Sequence, residues 1–434
     1  MPPYVRGMTD RQTVSHVLRR LTFGPTATEV DKAEEAGAAA TISTALAHRT
    51  APPGPGLSTG PPPAQDADRD ARRKARARQN AELDRWWLRQ MAADSTAGEK
   101  LTFFWHGHWA TSIQKVKSAA LMYRQQQTFR RYGTGDTGPF IRAMLRDPAL
   151  ILWLDGQQNT AKAPNENLAR ELMELFTLGV GNYTEDDVRA GAQMLTGWTV
   201  DRAAGTSKLI PKRHAQSPVT LLGTTGVTDI DGYADLLARH RAHAPFLAAR
   251  FWLRYGSGAA PSAAATERLV TAFGPGRDVT AMLRALVLDP EFPATNGQLV
   301  KQPVEWVVGA VRQLGIDAGK LDDKQLKQLS AMMRALGQVP FRPPSVGGWP
   351  AGTAWLTTAS AQVRLRSAPN LVTLAPAAVA TLEEAARPDR LDALARLLVI
   401  DRWTDRTAAV LAPAAQDPKK LLTLGLATPE YAVH

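Results

Sequence analysis

A dense run of carboxylate, amide and guanidinium side chains lies between residues 155 and 174 of the chain. Carboxylate and amide oxygens are ligands for divalent cations and polyhydroxyl compounds, and a carboxyl group in a cleft can transfer protons. The sequence therefore predicts a polar pocket in this segment. Its candidate catalytic residues are Asp155, Glu166, Arg170, Glu171 and Glu174, and its candidate binding residues include Asn159 and Asn165.

The stretch from Glu166 to Leu178 has the spacing of an amphipathic helix, with Asn165 as a candidate N-cap and Gly179 just past its end. Its apolar face would hold Leu168, Leu172, Leu175 and Phe176, and its polar face Glu166, Arg170, Glu174 and Thr177. If the polar face meets a neighbouring element, the charged side chains line a pocket. If it meets water, Glu166–Arg170 and Arg170–Glu174 are ordinary salt bridges between residues four apart.

Three histidines are candidate metal ligands. His106 and His108 are two residues apart, so on a helix they point about 200° away from each other and cannot share one ion. The aromatic residues around them favour a histidine packed in the core. The alternative is a site for a divalent metal that His214 completes together with Glu171 or Glu174.

The segment 339–355 is rich in proline and glycine and is predicted to be a loop. Gly347 and Gly348 favour a tight turn that docks Trp349, which is a further candidate binding residue. No nucleophile elbow, phosphate-binding loop or dinucleotide-binding glycine motif occurs in the sequence. The motifs therefore do not define a reaction.

These side chains need a scaffold, and most apolar segments recur at helical spacing while runs of β-branched residues are sparse. We predict a mainly α fold: a large multi-helical body with long Pro/Gly-rich loops and at most a small β-hairpin, near residues 208–222. Four regions are predicted: N-terminal helices (1–50), a Pro-rich linker or loop (51–66), a central helical body carrying the candidate site (67–255) and a C-terminal helical region packed on it (256–434).

Composition narrows the classes of function. The absence of cysteine excludes disulfides, thiolate metal sites and cysteine nucleophiles. The net charge is +11, but the basic residues are spread along the chain, which disfavours nucleic-acid binding. No apolar run has the length of a membrane span, and Met1–Asp10 lacks the apolar core of a secretory signal. We expect a cytoplasmic protein, with export in complex with a signal-bearing partner left open.

Several strings together resemble one bacterial family, known as domain of unknown function 1800. They are LRRLTFG (18–24), FWHGHW (104–109), NENLARELMELFTLG (165–179), YTEDDV (183–188), LTGW (195–198) and PPSVGGWP (343–350). Their order and spacing are similar to the family over most of the chain. The resemblance implies no established activity. It implies a partner protein of a sulfatase-like or phosphatase-like family, because such proteins often occur beside one.

Three hypotheses follow. The first is a helical binding or assembly module that acts with a partner protein, which a large exposed apolar patch would favour. The second is a metal-assisted hydrolase, which convergence of histidines and carboxylates in one pocket would favour. The third is binding of an anionic polymer, which a continuous basic groove with stacking aromatic residues would favour.

Overall fold

The computed structural model describes residues 10–47 and 68–434, so the predicted linker 51–66 lies outside the described residues. The first helices are α1 (Asp10–Leu21), α2 (Ala27–Ala36), α3 (Ala38–Ala45), α4 (Arg69–Ala93), α5 (Gly98–His108), α6 (Ile113–Val116), α7 (Ala119–Tyr132), α8 (Thr137–Leu145), α9 (Pro148–Trp153), α10 (Asn167–Glu171) and α11 (Glu185–Met194). The remaining helices are α12 (Ile230–Arg239), α13 (His243–Phe251), α14 (Ala263–Phe273), α15 (Val279–Val287), α16 (Pro303–Gln313), α17 (Asp323–Ala335), α18 (Thr358–Thr373), α19 (Pro376–Glu384), α20 (Arg390–Leu397), α21 (Asp405–Leu411) and α22 (Pro418–Leu426). The mainly α fold class is confirmed.

Two short antiparallel hairpins lie between α11 and α12. In the first, β1 (Trp198–Asp201) pairs with β2 (Thr206–Leu209), and in the second, β3 (Val219–Leu221) pairs with β4 (Thr224–Val227). The β-compatible residues predicted near 208–222 are therefore in strands. β2 and β3 do not pair with each other. Each pairs with the strand that a short turn joins to it, which is β1 for β2 and β4 for β3.

Local sequence accounts for many helix ends. Thr184 caps α11 by accepting the amide of Asp187, whose carboxylate accepts the amide of Thr184 in return. Asp147 caps α9 in a similar way and is followed by Pro148 at the first helical position. Such caps satisfy amides that have no partner within their helix.

The described residues form two hydrophobic cores, and each is assembled from distant parts of the chain. One core joins α1 to α13, α14 and α15, and the other joins α4 to α16, α17, α18 and α22. The predicted division at residues 255 and 256 stays a prediction. Among the described residues, no helix combines the length and apolarity that crossing a bilayer requires.

Helix α5 runs between these cores, and almost every one of its side chains is buried. Phe104 stacks on Phe251 of α13 with ring centres 4.3 Å apart, and Phe103 stacks on Trp349 at 5.6 Å. The helix also buries two opposite charges, Glu99 and Lys100. Because this helix is buried on every side, its polar side chains need hydrogen-bond or ion-pair partners on the neighbouring elements.

The turn predicted at Gly347 and Gly348 brings the 343–350 loop onto α5. Gly348 has φ of 83°, and a Cβ built there would lie 2.3 Å from the carbonyl oxygen of Gly107. A Cβ on Gly107 would in turn touch the Trp349 ring at 3.7 Å. The two glycines let the two backbones meet, and this contact seats Trp349 against the helix.

We expect Gly348→Ala to lower the free energy of unfolding by about 2–4 kcal/mol, because it combines a steric overlap with left-handed backbone strain. The matched control is Gly347→Ala. Gly347 has no positive φ, and its Cβ would approach Ser345 Oγ at an ordinary 3.6 Å. Urea unfolding followed by circular dichroism measures both variants. Equal stability of the two variants would show that the contact with Gly107 does not matter.

Candidate functional site

A π-helical turn interrupts the predicted carboxylate helix. α10 ends at Glu171, and in the turn Leu172–Thr177 each hydrogen bond spans five residues instead of four. The side chains that follow are rotated relative to a continuous α-helix. Thr177, predicted on the exposed face, is fully buried, and its hydroxyl donates to the carbonyl of Leu172 at 2.6 Å. The prediction of one α-helix up to Leu178 is therefore wrong in its second half.

The same turn changes the partner of Arg170. Its guanidinium binds Glu166 at 3.1 Å, as predicted, but its other partner is Glu185 at 2.7 and 2.8 Å. Glu174 instead accepts the hydroxyl of Tyr183 at 2.8 Å. The predicted Arg170–Glu174 pair is wrong, because residues 170 and 174 no longer stand one α-helical turn apart.

Asp155 and Glu171 have different surroundings. Asp155 is half-buried, has φ of 58° and binds Lys115 at 2.7 Å. Glu171 is half-buried, and its pKa is raised first by that burial and then by the charge of Glu174. The bonds at Asp155 and Arg170 are those of a charged surface, and a catalytic role for the five candidates stays a prediction.

The two candidate asparagines hold the loop that leads to α10. Asn159 is buried, donates its amide to the carbonyl of Ala192 at 2.8 Å and accepts the backbone amide of Asn165 at 2.9 Å. Asn165 accepts the amide of Asn167 at 3.0 Å, so its side chain serves the start of α10. Asn159 and Asn165 are therefore linked by a hydrogen bond to the backbone, and the side-chain amides of both residues bind backbone groups.

His106 and His108 are buried neutral side chains held in opposite tautomers. The backbone amide of Phe341 donates to Nε2 of His106 at 2.8 Å, so the proton of His106 is on Nδ1. Nε2 of His108 donates to the carbonyl of Phe176 at 2.8 Å, so Nδ1 of His108 carries the lone pair. Burial lowers the pKa of each to about 3. Both therefore match the alternative of a histidine packed in the core.

His214 is held by a third backbone group, since its Nδ1 lies 2.9 Å from the carbonyl oxygen of Thr196. Within residues 10–47 and 68–434, no group of three histidine or carboxylate side chains is placed to hold a metal ion. A metal-binding role for His106, His108 and His214 has no geometric support among those residues.

A buried charge cluster that sequence reasoning missed surrounds Glu305 at the start of α16. Its carboxylate lies 3.0 Å from Lys100 Nζ, 3.8 Å from Arg254 and 3.5 Å from Nε2 of His434. Burial acts to raise the pKa of Glu305, but Lys100 and then Arg254 hold it well below its usual range. Burial lowers the pKa of Lys100 to about 8. Cations outnumber carboxylates in this cluster.

Lys301 extends this positive charge to a cavity of about 430 Å³, which we call the Lys301 cavity. Its Nζ lies 3.7 Å from the centre of the Tyr431 ring, and burial followed by the charge of Arg19 lowers its pKa to about 7. Asp401 also lines the cavity, but it is engaged by Arg19 at 2.7 Å. Within the described part of the chain, neither Lys301 nor Arg402 of the cavity wall forms an ion pair.

An apolar groove of about 860 Å³ adjoins this cavity, and we call it the Val410 groove. Val410 is 62% exposed and Leu365 is 50% exposed, and both lie in its wall. The groove and the Lys301 cavity have three wall residues in common, which are Gly297, Glu430 and Val433. A single surface therefore passes from exposed aliphatic side chains to a buried ammonium group.

A protein-family model described as "Protein of unknown function (DUF1800)" matches residues 16–433. The chain belongs to this family. The resemblance drawn from the sequence strings is thereby confirmed. No curated protein and no solved structure matches the chain.

One of the family-like strings supplies a side chain to these cavities in the DUF1800 chain. Arg19 in the first string lines the Lys301 cavity, and its neighbour Arg20 is buried and donates to the carbonyl of Gly256 at 2.5 Å. Two adjacent arginines between Leu18 and Leu21 were a usable signal, because charged residues are rarely buried without a partner. Val410 and Lys301 gave no such signal, since their neighbours come from distant segments.

We expect Arg170→Ala to lower the free energy of unfolding by less than about 1 kcal/mol, because its ion pairs with Glu166 and Glu185 are exposed to water. The comparison variant is Arg312→Ala. Arg312 is buried and donates to two carbonyls and to Glu29 at 2.8 Å, so its loss should cost about 3 kcal/mol or more. Urea unfolding compares them, and a large loss in Arg170→Ala would restore the pocket hypothesis.

The Lys301 ammonium should leave a signature in the pH dependence of stability. Between pH 7 and 10.5, the unfolded chain binds a proton on Lys301 that the folded protein releases, so the free energy of unfolding rises with pH. In Lys301→Met this slope should fall by on the order of 1 kcal/mol per pH unit. Lys324→Met, at an exposed lysine, should keep the wild-type slope. Identical slopes in all three proteins would contradict the burial of Lys301.

Proposed function

We propose that the protein is a helical binding module that docks an apolar segment of a partner protein, with a carboxylate of that segment in the Lys301 cavity. The observation that carries this proposal is the continuity of the Val410 groove with the Lys301 cavity. Exposed contiguous aliphatic surface is characteristic of interaction sites. An exposed apolar surface also favours a binding module over the hydrolase and polymer-binding hypotheses.

The groove has the composition of a docking surface. Leu365 of α18, Val410 of α21 and Leu424 of α22 bring aliphatic side chains to one surface. Burial of two such side chains on binding contributes about 1.5–3 kcal/mol each, before the cost of ordering the partner. That gain gives a modest affinity, and the charged end of the docked segment adds further binding free energy.

The cavity gives the docked segment a direction. Glu430 lies where groove and cavity meet, and its carboxylate already accepts the hydroxyls of Thr404 and Thr407 at 2.8 and 3.0 Å. Asp401 is engaged by Arg19. Arg19, Lys301 and Arg402 outnumber Asp401 and Glu430 in the cavity wall, and this excess of positive charge is complementary to the terminal carboxylate of a peptide chain. A partner of sulfatase-like or phosphatase-like type remains a prediction about its identity.

The test uses a random peptide library displayed with free C-terminal carboxylates and selected on the full chain. We expect enriched peptides that end in aliphatic residues. Synthetic copies should bind in fluorescence anisotropy, and C-terminal amidation should weaken them at least about tenfold, since it removes the charge that Lys301 binds. Val410→Asp should abolish binding, because it places a carboxylate in the groove.

The control is Val180→Asp, which adds the same charge at a residue that is 78% exposed and does not line the groove. It should bind the peptides like the wild type. The proposal is wrong if no peptide is enriched, or if acid and amide forms bind equally. It is also wrong if deletion of residues 1–9, which precede Gln12 of the cavity wall, strengthens binding more than tenfold. In that case the occupant is the chain's own N-terminal segment.

A further inference from the structure

A second cavity, separate from the groove, lies beside α5 and has a volume of about 90 Å³. We call it the Arg250 pocket. Its wall contains Arg250, Arg254, His108, Gln302, Trp349 and Phe103. Ligand sites for whole small molecules are several times larger, so this space suits a single chemical group. Two of its wall residues, His108 and Trp349, were candidate site residues from the sequence.

Arg250 is half-buried, and its environment is unlike that of the buried arginines. Within residues 10–47 and 68–434, it makes no hydrogen bond and no ion pair, whereas Arg19 and Arg312 each bind a carboxylate and backbone carbonyls. Burial alone lowers the pKa of Arg250. A desolvated cation without a counter-charge costs stability, so the fold supplies a positive group that lacks its negative partner.

Arg254 adds a second guanidinium whose charge is only partly compensated. It stacks over the Phe103 ring at 5.5 Å, and its nearest carboxylate is Glu305 at 3.8 Å. Glu305 also serves Lys100 at 3.0 Å, so it cannot neutralise both cations. The pocket therefore has an excess of positive charge over its aromatic floor.

The backbone fixes the two arginines side by side. Arg250 is in the last turn of α13, and Arg254 lies in the π-helical turn Trp252–Gly256 that follows. Both side chains line the same cavity, which places them on one side of this segment. The opposite wall is Trp349, which the contact between Gly107 and Gly348 seats on α5. The pocket is thus built from rigid elements.

We propose that the Arg250 pocket binds one oxyanion group, such as a phosphate or sulfate. Planar guanidinium groups donate two parallel hydrogen bonds to such oxygens, and two of them together match a group with several negative oxygens. The small volume admits the group and leaves the rest of the ligand outside the pocket. This site goes beyond the docking function, because it shares no wall residue with the Val410 groove or the Lys301 cavity.

Isothermal titration calorimetry of the full chain with sodium phosphate and sodium sulfate, in a chloride buffer of constant ionic strength, tests this proposal. We expect one site per chain with a Kd of about 1 mM or tighter. Arg250→Met should weaken binding at least about tenfold. Arg250→Lys should weaken it less, because the charge remains and the paired donors are lost.

Thermal unfolding separates a binding role from a structural one. In buffer without phosphate or sulfate, Arg250→Met should raise the melting temperature by about 2–4 °C, because it removes a half-buried charge that has no counter-charge and leaves no partner behind. A structural arginine would show the opposite result, with a lower melting temperature and unchanged anion binding.

The matched control is Arg241→Met, which removes the same charge at an exposed arginine just before α13. It should leave anion binding unchanged. The proposal is overturned if the wild type binds neither anion, or if Arg241→Met weakens binding as much as Arg250→Met. Val410→Asp should retain anion binding, so failure of the docking proposal would not affect this result.

Discussion

The buried carboxylate of Glu305 is the charge on which the centre of this fold depends. It meets Lys100 of α5 at 3.0 Å and Arg254 of the second π-helical turn at 3.8 Å. It also accepts the backbone amide of Gln302 at 2.7 Å and so caps α16. One side chain therefore ties three elements together. Removing one partner from a buried ion pair costs about 3–5 kcal/mol, because the charge that remains is neither solvated nor paired.

One carboxylate cannot balance all the cations that lie near it, and two of these cations, Lys301 and Arg254, each line one of the two cavities. Lys301 faces one cavity and Arg250 faces the other, and neither forms an ion pair within the described residues. Full pairing would give a more stable molecule, since unpaired buried charge opposes folding. Unpaired charge at the wall of an open cavity lowers the stability of the fold. Binding of an anionic partner there would recover that stability.

The sequence predicted the features that depend on neighbouring residues. Helical spacing gave the fold class, Thr184 capped its helix, and Gly348 made the turn that seats Trp349. The π-helical turn after Glu171 was not predictable from spacing. The apolar residues keep helical spacing both before and after the one inserted residue. The shift of Arg170 from Glu174 to Glu185 follows from that single insertion.

The cavities were beyond sequence reasoning for a different reason. Lys301 and Gln302 are consecutive, yet Lys301 lines one cavity and Gln302 lines the other. The chain is extended here: Val300 forms a β-bridge with Val433, and Gln302 has φ of −68° and ψ of 158°. Successive side chains of an extended segment point to opposite sides. The two residues that precede α16 thus follow a period of two, and they reach separate sites.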